Sequence, residues 1–298
     1  MKASLIAFTG ILATNFFWAT NAMLAIDATR TIAPLHLNFW RWVFALGLLL
    51  PFGYKAMIRG KYIRNNFLYL GLLGFLGISL YNLVLYSAAQ STSTTNITLI
   101  SSLAPVSILL VSWLLVGKSP SVRQLAGMLI GLVGALIIIT RADFQLLFGL
   151  NFNLGDSFML VAVVVWGLYS VLLVRLRGSI RQIELLTLLI AFGVLWLVVL
   201  ELTIYGSLPF KLLLHTNNLL LFAYLGIFPS LLAYLLWNNG IEHLGPVTTG
   251  LSIYSQPVFG ALLSWMFFNQ LLNNYHMIAA ACIVIALVLC LIKNRSHK

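Results

Sequence analysis

Long apolar runs separated by short polar, Gly or Pro stretches fill the chain from one end to the other. A hydrocarbon core of about 30 Å is crossed by about 20 helical residues. Measured against that length, the pattern predicts ten membrane-spanning helices, joined by connections too short to hold a soluble domain. The predicted spans are 3–24, 36–54, 67–88, 93–116, 122–140, 154–176, 182–206, 217–240, 246–268 and 274–292.

The composition agrees with a membrane environment. Hydrophobic residues make up 61% of the 298 residues and charged residues only 8%, whereas a soluble domain carries roughly a quarter charged residues. A formal net charge of +11 could indicate a nucleic-acid partner. Because the basic residues fall in short clusters between apolar runs, we expect a lipid bilayer as the partner and no nucleic acid.

The distribution of Lys and Arg predicts the orientation of the chain. Three of these residues, Arg30, Arg141 and Lys211, lie in odd-numbered connections. Thirteen lie at the termini or in even-numbered connections, namely Lys2, Lys55, Arg59, Lys61, Arg64, Lys118, Arg123, Arg175, Arg177, Arg181, Lys293, Arg295 and Lys298. Positive residues favour the cytoplasmic side of a membrane. The sequence therefore predicts that both termini are cytoplasmic.

The two halves of the sequence repeat each other. The matching residues are Pro105 with Pro257 and Trp113 with Trp265, at an offset of 152 residues, and Trp18 with Trp166, at an offset of 148. This alignment divides the chain into segments 1–145 and 146–298, each with five predicted spans. Because five is odd, the second segment enters the membrane from the opposite side. We therefore predict an all-α integral membrane protein of ten transmembrane helices in two inverted five-helix repeats. Secondary transporters with this arrangement bind their substrates near the midplane, between the repeats.

Short aromatic and polar motifs lie in five of the predicted spans and, at Pro34, just before the second span. They are Trp18 and Asn21, Pro34, Phe39-Trp40-Arg41, Leu80-Tyr81, Ser102-Leu103-Ala104-Pro105 and Leu232-Ala233-Tyr234-Leu235-Leu236-Trp237-Asn238. In order and spacing these motifs resemble the drug/metabolite transporter superfamily, in its EamA-type ten-span branch. The chain departs from that pattern at Gly117-Lys118 and Asn269-Gln270, where members usually carry Gly-Glu. The resemblance implies a carrier of small metabolites in the bacterial inner (plasma) membrane, with many members working outward and some inward.

Polar and aromatic side chains at membrane depth are the candidate substrate-binding residues, because such groups are costly against lipid tails. The candidates are Asn15, Trp18, Asn21, Tyr81, Asn82, Tyr86, Asn96, Trp166, Tyr169, Tyr234, Trp237, Asn238, Ser252, Tyr254 and Gln256. Two other interpretations stay open. The rings could pack helices together or belong to an interfacial belt, and the amides could join helices at about 0.6 kcal/mol for each hydrogen bond.

Arg41 lies inside one of the most apolar stretches of the chain. At about 1.5 Å per residue from His36, it sits roughly 8 Å into the second span. A guanidinium at that depth needs acceptors or a route to water. Backbone carbonyls, Asn38 and the substrate are the alternatives. The resemblance favours a structural or gating role for Arg41 over direct contact with an anionic group of the substrate.

Pro105 and Pro257 each remove a backbone hydrogen bond from their helix. Their matched positions indicate a pair of hinges or gates. A static kink that only shapes the bundle is the alternative.

No Asp or Glu residue is predicted to lie near the midplane of the membrane. Asp27, Asp143, Asp156 and Glu201 fall near the predicted outer side, and Glu184 and Glu242 near the inner side. Of these, Asp156 is the candidate for proton coupling, and a solvated helix cap is the alternative. The lack of deep acidic charge favours a neutral, zwitterionic or cationic substrate, and ring faces attract cations.

These features favour a secondary carrier that works by alternating access and exports amino acids or related metabolites. Uptake of a small cation or zwitterion such as choline is the alternative. An intramembrane enzyme would need a nucleophile–base pair, a carboxylate pair or metal ligands at depth, so we expect no enzyme, cofactor or metal site. A channel is disfavoured because channels commonly need several subunits or a charged filter. We expect a small-molecule substrate and coupling to protons or to a counter-solute. We expect the protein to be a monomer or a homodimer.

Overall fold

The computed structural model describes residues 2–117, 119–147, 152–176 and 178–291, and within these ranges the chain is helical without β-strands. Ten long helices follow one another. They are α1 (Lys2–Ala28), α2 (Pro34–Met57), α3 (Gly60–Ala89), α4 (Thr94–Val116), α5 (Val122–Ile139), α6 (Leu154–Leu176), α7 (Gln182–Tyr205), α8 (Thr216–Leu244), α9 (Pro246–Phe268) and α10 (Asn274–Leu291). Short 3-10 turns at Phe144–Leu147 and Phe210–Leu214 lie in two of the connections.

The predicted ten-helix membrane fold is confirmed. In the described part of the chain, nine helices are long and apolar enough to cross a membrane, and α10 is apolar over Asn274–Leu289. Consecutive helices run in opposite directions, so α1 begins and α10 ends on one side of the bundle, here called the termini end. Five residues used to predict the orientation lie outside the described residues, namely Lys118, Arg177, Lys293, Arg295 and Lys298.

The helix pairs follow an internal two-fold relation. Helix α5 packs against α10, and α2 packs against α7. When five is added to each helix number, counting on from α10 to α1, each of these pairs becomes the same pair again. The same renumbering turns the contact between α1 and α8 into the contact between α6 and α3. It also turns the contact between α1 and α9 into the contact between α6 and α4. Two inverted five-helix repeats therefore pack against each other, and α2 and α7 lie side by side between them.

The two-fold relation extends to irregular helical turns. Both α3 and α8 contain a π-helical segment, at Gly74–Leu80 and Gly226–Leu232, which are again 152 residues apart. Each segment begins with a glycine that touches a neighbouring backbone. A Cβ added to Gly74 would lie 2.8 Å from the Leu189 carbonyl oxygen, and one added to Gly226 would lie 2.9 Å from the Arg41 carbonyl oxygen. Only glycine lets α3 approach α7, and α8 approach α2, so closely.

Helices α4 and α9 are interrupted at equivalent places. In α4 the helix breaks at Ser102–Leu103 and restarts at Ala104, with Pro105 in the first turn. In α9 a 3-10 turn at Ser252–Ser255 precedes the segment that contains Pro257. Proline suits a first helical turn because its missing N–H has no partner there. The two prolines thus start new helical segments after a break, and their gating role stays a prediction.

Candidate functional site

A cluster of aromatic rings fills the space between the two repeats. The rings of Trp18 and Trp166 meet edge to face at 5.1 Å between centroids. Trp237 lies 5.0 Å from Trp18 and 5.3 Å from Trp166. Tyr81 and Tyr169 pack against Trp166 at 4.7 and 5.2 Å. We call these five residues together with Tyr234 the ring cluster. The first repeat contributes two of the six rings and the second repeat four.

The backbone of the bundle is shaped to admit these rings. A Cβ added to Gly77 would lie 2.4 Å from the ring of Tyr169, so the absence of a side chain at Gly77 makes room for that ring. The π-helical segments leave carbonyl oxygens free for ring donors. Tyr234 donates to the Gly77 carbonyl at 2.7 Å, and Trp18 donates to the Pro229 carbonyl at 3.2 Å. Gly77 and Pro229 are 152 residues apart, so equivalent carbonyls fix one ring from each repeat.

Arg41 lies beside the ring cluster and is 1% exposed. Its Nη1 donates to Asn21 Oδ1 and Asn82 Oδ1, both at 3.2 Å, and to the Tyr86 hydroxyl. Its Nε donates to Ser230 Oγ at 2.8 Å. The guanidinium is thus held by side chains from α1, α3 and α8. Asn38 was an expected partner of Arg41, but its amide donates instead to the carbonyls of Ile78 and Ser79.

Two residues of this site were absent from the sequence-based candidates. Trp42 stands 5.3 Å from the Arg41 guanidinium and 4.9 Å from the Tyr234 ring, so it connects Arg41 to the ring cluster. Ser230 accepts from Arg41 and donates to the Leu225 carbonyl at 2.7 Å. Trp42 is adjacent to Arg41 in the sequence, which is a signal that could have found it. Ser230 follows a proline in the middle of a predicted span, and that is a weaker signal.

Several polar groups near the ring cluster are buried and lack a hydrogen-bond partner among the described residues. They are Trp237 Nε1, Asn238 Nδ2 and Ser170 Oγ. Asn238 accepts from Tyr169 through its other amide atom, at 3.1 Å. It also lines a cavity of about 10 Å³ between α6, α7 and α8, together with Gln182 and Glu242. A volume of that size holds about one water molecule. Unpartnered donors of this kind are available to a polar ligand.

Other candidates lie away from the ring cluster. Asn15 donates to Ser252 Oγ at 2.8 Å and accepts from Gln256 at 3.2 Å, so this group joins α1 to α9. Tyr254 packs into the separate contact between α5 and α10, where Gly131 makes room for its ring. The structure brings together Trp18, Asn21, Tyr81, Asn82, Tyr86, Trp166, Tyr169, Tyr234, Trp237 and Asn238.

The EamA-like transporter family model matches the chain twice, over residues 5–140 and 153–292. The chain belongs to the EamA-like transporter family. This also bears out the resemblance to the drug/metabolite transporter superfamily. Like other members, the protein is a membrane transporter of small molecules.

Individual relatives agree with this membership. The chain is 25% identical over 261 residues to an uncharacterized transporter, YyaM, of Bacillus subtilis, with 86% of this chain and 84% of that protein covered. It is 28% identical over 221 residues to protein PecM of Dickeya dadantii, with 73% and 71% covered. One solved crystal structure superposes with a TM-score of 0.73 at 22% identity, over 97% of this chain and 96% of the other. That likeness concerns the fold alone.

The two repeats of the transporter are joined by polar contacts at the end opposite the termini. Asp156 at the start of α6 accepts from Thr92 Oγ1 at 2.5 Å and from Asn96 Nδ2 at 3.0 Å. The expected helix cap is present, but its carboxylate is 1% exposed rather than solvated. The second contact joins α2 to α7, where His36 Nδ1 lies 2.9 Å from both oxygens of the buried Glu201 carboxylate.

The termini end carries a different set of contacts between the repeats. The hydroxyls of Tyr62 and Ser179 are 2.8 Å apart, and Tyr69 donates to the Leu172 carbonyl at 2.6 Å. Arg59 reaches the buried Glu184 carboxylate at 3.1 Å. Polar contacts therefore hold the repeats together on both sides of the ring cluster.

Proposed function

We propose that the protein is a secondary carrier that exports amino acids or related small metabolites by alternating access, with the ring cluster as its substrate site. The observation that carries the proposal is the contact of Trp18 with Trp166 at 5.1 Å. These two residues are equivalent in the two repeats. A site between two inverted repeats can be exposed to either side when one repeat rocks against the other.

The polar contacts at the two ends suit such a movement. In this proposal the bonds of His36 and Asp156 open on one side, while those of Tyr62 and Arg59 open on the other. Each set consists of only a few contacts, and a neutral hydrogen bond in a membrane protein contributes about 0.6 kcal/mol. The buried carboxylates in each set would meet water as their side opens, so substrate binding can offset the cost of breaking that set. The moving units of the proposal are residues 1–145 and 146–298.

The chemistry of the ring cluster supports a substrate with an apolar or aromatic part and a polar end. Rings from both repeats can enclose the apolar part, and the unpartnered amide nitrogen of Asn238 and indole N–H of Trp237 can bind the polar end. Ring faces also attract cations, which favours uptake of a choline-like cation as the second candidate. The nearby positive charge of Arg41 opposes a bare cation, so a zwitterion suits the site better.

The remaining parts of the proposal rest on the sequence. The excess of Lys and Arg on one side supports cytoplasmic termini, and the family supports a bacterial inner membrane. Coupling to protons or to a counter-solute completes the carrier, which works as a monomer or a homodimer.

Counterflow in reconstituted vesicles tests the proposal. Vesicles preloaded with one unlabelled L-amino acid at millimolar concentration should accumulate the same labelled amino acid transiently, in a saturable manner. The panel comprises the twenty L-amino acids and choline. Accumulation of choline alone would favour the second candidate, and flux that is neither saturable nor stimulated by internal solute would contradict a carrier.

A matched pair of variants then tests the site. Trp166→Phe removes part of a buried ring in the cluster, whereas Trp265→Phe changes a ring that is 51% exposed on the lipid side. Aromatic contacts contribute about 0.5–1.5 kcal/mol, so the first variant should weaken substrate affinity about two- to tenfold. The second should leave the affinity unchanged. Equal behaviour of the two variants would remove Trp166 from the site.

A further inference from the structure

Arg41 carries a buried positive charge that the described residues do not neutralise. Its side chain is 1% exposed, and arginine keeps its proton in proteins. Among the described residues, carboxylates approach Arg30, His36, Arg59 and Arg181 within 4.0 Å, and none approaches Arg41. The groups that surround Arg41 are neutral amides, hydroxyls and rings.

The hydrogen-bonding groups of Arg41 are only partly used. Nε and Nη1 donate to the four side-chain oxygens named above. Nη2 donates to none of the atoms in the described part of the chain. The N–H groups of Nη2 can donate charge-assisted hydrogen bonds to a carboxylate. The position of the guanidinium is fixed by bonds from three helices, so Nη2 is already oriented before any ligand arrives.

The fold does not require an arginine at this position. The equivalent residue of the other repeat is Leu189, since Gly226 touches the Arg41 carbonyl just as Gly74 touches the Leu189 carbonyl. Leu189 is fully buried in the same backbone arrangement. A buried unneutralised charge is costly, and the apolar copy shows that the helices pack without it. The cost is explained if a ligand supplies the counter-charge.

We infer that Arg41 binds the carboxylate of the transported molecule and thereby makes the carrier specific for small carboxylic acids, including zwitterionic amino acids. The inference rests on the proposed function, because it places the rest of the molecule against the ring cluster. Trp42 and Tyr234 connect the two parts: Trp42 lies 5.3 Å from the guanidinium, and Tyr234 lies 6.2 Å from Trp18. Arg41 is then a specificity-determining residue as well as a structural one.

A binding experiment tests the inference without requiring transport. Purified protein is titrated with benzoate and with benzamide, which share a ring and differ in the carboxylate. Thermal stabilisation should be greater with benzoate. In Arg41→Gln, and in Arg41→Lys, which keeps a positive charge but loses the planar guanidinium, the preference for benzoate should fall about ten- to a hundredfold, as expected for charge-assisted hydrogen bonds from Nη2. Arg30→Gln, which removes an arginine that is 79% exposed, is the matched control and should keep the preference.

A transport experiment provides the second readout. Inhibition of counterflow by L-phenylalanine is compared with inhibition by L-phenylalaninamide. In the wild type the acid should inhibit at a concentration at least about tenfold lower than the amide. In Arg41→Lys the inhibition constant of the acid should rise until this advantage is lost, and that of the amide should change little.

The outcomes separate the two proposals. If wild-type protein prefers benzoate but moves no amino acid, the proposed export of amino acids is wrong and the carboxylate site stands. If counterflow occurs but acid and amide act equally, the carrier stands and the carboxylate site is wrong. If benzoate and benzamide stabilise wild type and Arg41→Lys to the same extent, Arg41 has a structural role only.

Discussion

The two π-helical segments of the bundle have the same backbone and different chemistry. Near Gly74, α3 touches the Leu189 carbonyl, and near Gly226, α8 touches the Arg41 carbonyl. Beside Leu189, the groups that meet Gly74 also include Gly193 and Phe192, and Ile78 packs against Gly193. Around Arg41 the neighbours are Asn21, Asn82, Tyr86 and Ser230. One copy of the repeated interface therefore serves packing, while the other also positions a polar site.

This difference separates the residues that build the scaffold from those that give it a specificity. Glycines, π-helical segments and helix breaks occur in both copies, so they belong to the fold. The guanidinium occurs in one copy only. Substitutions at shared positions should thus affect stability equally in the two repeats, and substitutions at the unshared positions should not.

The largest effect is expected for Leu189→Arg, which places a guanidinium at a fully buried apolar position. An arginine at the centre of a membrane helix costs about 2.5–3.5 kcal/mol, and here it would also have to fit a close-packed interface. We expect little or no folded protein, measured as the monodisperse fraction in size-exclusion chromatography. Leu189→Met keeps the volume and should fold. Normal yield of Leu189→Arg would mean that the apolar copy already contains acceptors for a guanidinium.

An intermediate effect is expected for Gly74→Ala and Gly226→Ala. In each variant the new methyl group meets a backbone atom at 2.8 or 2.9 Å and forces two helices apart. Overpacking of this kind costs about 1–3 kcal/mol, and the free energy of unfolding in detergent should fall by a similar amount in both. Gly47→Ala is the control, because its Cβ would meet nothing within 4 Å. Clearly unequal losses would contradict the equivalence of the two interfaces.

The smallest effect is expected for a pair of serines in the two π-helical segments. Ser79 donates to the Gly193 carbonyl at 2.8 Å, and Ser230 accepts from Arg41 at 2.8 Å. Ser79→Ala removes one hydrogen bond, worth about 0.6 kcal/mol of stability. Ser230→Ala removes two, because Ser230 also donates to the Leu225 carbonyl, and should cost about 1.2 kcal/mol. Only Ser230→Ala should also weaken benzoate binding, by about threefold, as measured by thermal stabilisation. If Ser79→Ala weakens it equally, the two segments do not differ in function.

The spans were predictable because a bilayer imposes both length and polarity on a helix. The predicted spans 154–176 and 246–268 coincide with α6 and α9 as observed. The exception is α3, which begins at Gly60 rather than near residue 67. Its first turns are polar, so hydropathy did not include them, although nothing prevents them from being helical outside the membrane.

The candidate site was only partly predictable, because the deciding contacts join residues far apart in the sequence. The pairing of Trp18 with Trp166 was accessible through the repeat. The bond between Arg41 and Ser230 was not, since the two residues are 189 positions apart and the proline before Ser230 is only a weak local signal. The burial of Glu201 against His36 was equally inaccessible, because it depends on the contact between α2 and α7.

The composition of the Arg41 site also constrains the order in which the bundle can assemble during synthesis. When α2 enters the membrane, only Asn21 of the four acceptors has been made, and α3 must follow before Asn82 and Tyr86 can join. Ser230 emerges 189 residues after Arg41, which at about 5–20 residues per second is a delay of roughly 10–40 s. During that interval the newly synthesised first repeat contains a guanidinium that lacks one of its four acceptors. A ribosome stalled before α8 would therefore expose this repeat to membrane quality control.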